Sequence, residues 1–139
     1  MELKDYIKIF KENQNFDNDL YIKGAIQCLD QFSASFEKED VKGMDLCCHF
    51  PHYLLSGNEV ICWEKEGQLT MDFFINLKKS GFKRTVVTKR EPILVTENKV
   101  HFLYSYYREN IFGDVISQHD NLWILTYKNN KWGIQVRSY

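Results

Sequence analysis

The sequence predicts an α+β domain in which about three helices pack on one face of a bent, mostly antiparallel sheet. Three observations carry that expectation. The last third, Lys99 to Ser138, reads as three long strands, because β-branched and aromatic residues run between two turn-forming stretches, Ile111 to Asp114 and Lys128 to Lys131. Ile22, Ala25, Ile26, Leu29, Phe32 and Phe36 recur at steps of three and four, the spacing of one helix face. The helical patterns come early and the strands late, the segregated order of α+β rather than α/β chains.

In chain order, Leu3, Tyr6, Ile7 and Phe10 fit a short amphipathic helix over residues 2–12. Asp17 or Asp19 can cap the long helix that follows, and residues 37–40 end its stripe. Asp40 can cap a second, short helix with Val41, Met44 and Cys48 inward, which Pro51 cannot continue. The break at His49-Phe50-Pro51-His52 leads into a strand. Tyr53–Leu55 and Val60–Trp63 flank Ser56-Gly57-Asn58-Glu59 as a small hairpin. Leu69, Phe73, Phe74 and Leu77 mark a third core helix that ends in Lys78-Lys79 and meets Gly81, a left-handed cap. Lys83 to Thr96 is a strand with a bulge or bend at Pro92.

The bounds are consistent with one domain over residues 1–139, divided into an N-terminal extension or short helix (1–18) and a core (19–139). A net charge of -1, from 18 basic and 19 acidic residues, gives no global attraction to nucleic acid or an anionic membrane, and neither is an expected partner. The N-terminus mixes charged with apolar residues and is not a secretory signal, so a cytoplasmic location is expected, with Cys28, Cys47, Cys48 and Cys62 as reduced thiols. In Lys99–Glu109, Val100, Phe102, Tyr104 and Tyr106 share one face while His101, Leu103, Ser105 and Tyr107 share the other. Apolar bulk on both faces predicts a sheet-to-sheet homodimer covering Leu103, Tyr107 and Trp123; cover by residues 1–18 is the alternative.

Three stretches carry a resemblance. Glu39 to Met44 (EDVKGM), the HFPH turn and the closing WILTYKNNKWGIQ from Trp123 to Gln135 resemble the SnoaL-like branch of the nuclear transport factor 2-like superfamily, over about residues 20 to 138. The resemblance implies a cystatin-like cone, a curved sheet wrapped by helices whose open end often holds a hydrophobic ligand, and frequent pairing through the sheet. It also allows a test. The steroid-isomerase branch uses a tyrosine of the first long helix and an aspartate near the first strand. Alignment on Asp40 and Gly43 puts Phe32 and Ser56 to Asn58 at those places, with Glu59 the nearest carboxylate. Proton abstraction by that pair has no support here.

The polar candidates are His49, His52, His101, Arg108, His119 and Asp120. A carboxylate beside an imidazole invites acid/base chemistry, but His119 and Asp120 are consecutive strand residues and point to opposite faces. His101 and His119 could converge from adjacent strands. Arg108 stands where related sequences of the branch carry an arginine before a turn, and could clamp a carboxylate or pair with Glu109, Asp114 or Asp120. The cluster of Cys47, Cys48, His49 and His52 lacks paired ligand spacing, so no metal and no cofactor is expected. The six basic residues between Lys78 and Arg90 read as a helix end followed by a protected edge strand rather than a nucleic-acid site. The expected function is binding of a small, largely apolar ligand in a pocket formed by His49, His52, Tyr53, Trp63, Tyr104 and Arg108. The alternatives are a lyase, isomerase or hydrolase using His101, His119 and Arg108, and a protein-interaction domain that works through the sheet.

Overall fold

The computed structural model describes residues 18–139; the helix expected over 2–12 and the expected cap Asp17 lie outside them. Helix α1 (Asn18–Glu37) buries Ala25, Cys28, Leu29 and Phe32 on the face that its apolar spacing marks out, with Asp19 inside its first turn. Asp40 caps α2 (Val41–Leu46), its carboxylate accepting the Gly43 N–H at 2.9 Å. A Cβ on residue 43 would lie 2.4 Å from that carboxylate and 2.6 Å from Ser35 Oγ, so only glycine lets the capping carboxylate sit so close. Helix α3 (Met71–Lys79) buries Phe74 and Leu77 and ends as expected, with Gly81 at φ 93°.

The six strands are β1 (Cys48–Ser56), β2 (Glu59–Trp63), β3 (Arg84–Val95), β4 (Lys99–Glu109), β5 (Val115–Lys128) and β6 (Lys131–Ser138). They form one curved sheet in the order β2-β1-β6-β5-β4-β3, antiparallel throughout except for the parallel pair β1–β6. The expected α+β class holds. The HFPH stretch differs in detail: it is not a break after the helix but part of β1, and Cys48 is the first residue of that strand rather than a helix position. Pairing with β6 captures the chain this early, since Ile134 N–H donates to the Cys47 carbonyl at 2.8 Å. Pro51, which has no N–H to give, falls where the register shifts between Cys48 and Tyr53. The bend at Pro92 is also present, as a register shift between Pro92 and Leu94.

Register settles which side chains face the helices. Val100, Phe102, Tyr104 and Tyr106 are buried on the inner face, opposite Leu125, Trp123, Asn121 and His119 of β5. Trp123 therefore does not belong to the outer surface. It shares the parity of Phe102 and stacks on Tyr104, centroids 4.1 Å apart and planes 4° from parallel. Leu29, Phe102, Leu125 and Ile134 are fully buried between α1 and the sheet, each contributing about 1.5–3 kcal/mol of hydrophobic stabilisation. Half the cations of the basic run are spent locally: Lys78 pairs with Glu39, Arg84 with Glu109 and Arg90 with Asp30. Strand β3 is indeed an edge. Among the described residues no helix is long and apolar enough to cross a membrane.

Candidate functional site

Where the sheet curls away from the helices, a cavity of about 960 Å³ stays open at the inner face. Its walls are aromatic because each contributing element turns its buried face there. Helix α1 supplies Phe32 and Phe36, α3 supplies Phe73 and Phe74, the β1–β2 hairpin supplies Leu54, Ile61 and Trp63, and the long strands supply Tyr104, Tyr106 and Trp123. Phe36 meets the edges of Phe73, Phe74 and Phe82 at 5.1–6.1 Å, which fixes one wall. The positions aligned with the steroid-isomerase pair are present as Phe32 and Ser56, both in the lining, whereas Glu59 is exposed and does not line the cavity.

Of the residues expected to form the pocket, Trp63, Tyr104 and Arg108 line it, as does His119. The others are elsewhere, for reasons of parity and depth. Tyr53 pairs with Val136 and Cys62 on the outer face and is exposed. His101 sits opposite Ile124 on that same outer face, so it cannot converge with His119, which shares the inner parity of Tyr106. His49 is buried against Gly133, one ring nitrogen 3.1 Å from the Lys131 carbonyl. His52 lies behind the cavity wall, stacked on Trp63.

Arg108 pairs with none of Glu109, Asp114 and Asp120. Glu109 is held by Arg84, Asp114 by Asn110, and Asp120 accepts from Ser105 Oγ at 2.7 Å on the outer face. Instead its guanidinium lies over Tyr106 at 5.5 Å and Phe82 at 5.9 Å. His119 stacks on Tyr106 at 4.7 Å and contacts Ser117 Oγ at 2.9 Å; burial, then the nearby Arg108, holds its pKa below the ordinary value. Burial likewise pushes the Tyr106 phenol up to about 12, so it stays neutral.

The buried arginine of the site has no counterpart among the expected residues. Arg137 is buried in the lining, its guanidinium carbon 5.6–6.0 Å from the rings of Phe32, Trp63, Trp123 and Tyr139. Simple alternation from Ile134 would turn Val136 inward and Arg137 out. Between Trp123↔Arg137 and Leu125↔Ile134, however, β6 carries one residue more than β5, and that bulge inverts the parity. The inserted Gln135 is held in place, accepting from Thr126 Oγ1 at 2.9 Å and donating to the Pro51 carbonyl. His52 completes the setting. Its Nδ1 lies 2.9 Å from the Ile134 carbonyl, which assigns the proton there and leaves Nε2 to accept from Arg137 Nε at 3.1 Å. Burial first and Arg137 second push the His52 pKa down to about 4, so the imidazole orients the guanidinium without neutralising it.

No family model matches the sequence, and no curated protein matches it. Solved structures do. An NTF-2-like protein of unknown function from Shewanella oneidensis superposes with a TM-score of 0.59 at 9% identity, covering 84% of this chain and 96% of its own. A protein of unknown function with a cystatin-like fold from Nostoc punctiforme gives 0.64 at 16% identity, over 86% and 89%. A ketosteroid isomerase-like protein from Erwinia carotovora atroseptica gives 0.62 at 11%, over 88% and 95%. At these identities the likeness concerns the fold.

Proposed function

We propose that this chain, which has the nuclear transport factor 2-like (cystatin-like) fold, is a binding domain for a small, largely apolar molecule held between its helices and its curved sheet. The observation that carries this reading is the aromatic-walled cavity of about 960 Å³, a size and lining typical of small-molecule sites. Within the fold, the EDVKGM and WILTYKNNKWGIQ stretches support the SnoaL-like branch. The four free cysteines suit a reducing cytoplasm. The lyase, isomerase or hydrolase alternative has less behind it, since only Arg108 and His119 of its polar set reach the cavity and His101 does not.

A fluorescence titration with the neutral probe N-phenyl-1-naphthylamine tests the binding reading. The expected result is saturable enhancement at one probe per chain, with quenching of the emission of Trp63 and Trp123. A linear, unsaturable response would refute it. Homodimerisation through the sheet is a separate part of the proposal. The outer face aligns Tyr53, Val136, Ile124, His101 and Leu103 across neighbouring strands, an apolar band that a second copy would cover. Light scattering should give twice the chain mass for the wild type and the single-chain mass for Leu103→Glu; a monomeric wild type would end this part of the proposal.

A further inference from the structure

We propose that the cavity selects an anionic guest, a carboxylate on an apolar body, and that Arg137 is the residue that binds the carboxylate. The inference deepens the binding reading above and rests on it. Arg137 is buried, yet among the described residues no carboxylate lies within ion-pair distance of it. Its polar partners among the described residues are neutral: His52 Nε2 accepts from its Nε, and Tyr139 Oη accepts from its Nη1 at 3.1 Å. A guanidinium without a counter-charge is costly to bury, and the surrounding rings repay only part of that cost. A planar fork held at Nε by a histidine and at Nη1 by a tyrosine leaves the other N–H groups of Nη1 and Nη2 for a ligand, in the geometry that suits a carboxylate.

Independent features of the lining point the same way. Besides Arg137 its described residues include Lys78, Lys83, Arg84 and Arg108 against Glu37 and Glu39, an excess of cations in a chain whose net charge is -1. Lys78 and Arg84 have carboxylate partners in Glu39 and Glu109; Arg108, like Arg137, has none among the described residues. Two buried donors of the lining, Arg108 Nε and Trp123 Nε1, have no hydrogen-bond partner among the described residues. The site is thus short of acceptors, which a carboxylate would supply.

Isothermal titration of the full chain with 2-naphthoate and with its neutral counterpart 2-naphthamide tests this. The wild type should bind the acid at least about tenfold more tightly than the amide, as expected when a charged hydrogen bond is gained. Arg137→Met should abolish that preference by weakening the acid and sparing the amide, and Arg137→Lys, which keeps the charge without the fork, should fall between. Equal affinities in the wild type would overturn the inference while leaving the apolar pocket intact, and need no variant to fold. Preference surviving in Arg137→Met would overturn the role of Arg137. Binding of neither compound, together with no binding of the neutral fluorescent probe, would overturn both readings.

Discussion

Replacing His52 by Gln should remove much of the protein's loss of stability in mild acid. His52 is fully buried, and its pKa falls from the ordinary 6.5 to about 4 because burial penalises the imidazolium and Arg137 repels it. A base whose pKa is lower in the folded state binds fewer protons there than in the unfolded chain. Its contribution is therefore complete above pH 6.5, falls away as pH drops through the window between 6.5 and about 4, and is gone below it. Integrated over those two pKa values, the loss by pH 4 is about 3 kcal/mol. Urea unfolding at pH 7.5 and pH 4 reads it directly: with a slope of about 1.5 kcal/mol/M, the wild-type midpoint should fall about 2 M further than that of His52→Gln. His49, His101 and His119 are shifted in the same direction, and Glu109, lowered by its pairing with Arg84, also loses stability in acid; all four are common to both proteins and cancel in the comparison. If the two proteins lose the same stability between these pH values, the buried neutral histidine behind Arg137 is not as described.

Gly24→Ala should destabilise by about 1–3 kcal/mol through overpacking, because the new methyl would lie 2.6 Å from Trp132 Nε1, overriding the roughly 0.5–1 kcal/mol that alanine normally gains in a helix; chemical unfolding and a shifted Trp132 emission would show it. Leu29→Ala, at a fully buried position under the sheet, should cost about 2–5 kcal/mol, measurable by calorimetry as a Tm lower by about 6–15 °C. Arg84→Ala should cost under about 1 kcal/mol and less in high salt, since the arginine side chain is 65% exposed in its pair with Glu109; urea midpoints at low and high salt decide that.

The helices and strands were readable from spacing because burial imposes a period on each. The stripe from Ile22 to Phe36, the cap at Asp40, the turn at Gly81 and the alternation of β4 each rest on a local rule that tertiary structure did not override. The site was readable in part. Trp63, Tyr104, Arg108 and His119 reach the cavity because their strands alternate regularly, and the opposed faces of His119 and Asp120 follow from the same parity. Reading failed where two strands had to be put in register. Nothing local says that His101 meets Ile124, that Trp123 meets Phe102, or that His52 in β1 lies beside Arg137, 85 residues later in the chain. Depth was equally invisible: His52 lies one layer behind the cavity wall, stacked on Trp63, a distinction that spacing does not encode.

The extra residue at Gln135 means that the chemistry of the cavity is written partly in the counting of the chain rather than in its wall. Absorbing that one position into regular pairing, with no residue exchanged, would turn Val136 to the inner face and Arg137 to the outer one, exchanging a cation for a methyl-bearing surface at the same place. Among proteins sharing this architecture, whether the last strand bulges or pairs regularly is thus a way to switch between charged and greasy guests without substituting a single residue. Comparing such sequences column by column, with the gap placed one residue off, would set this arginine against residues that look outward and hide the switch.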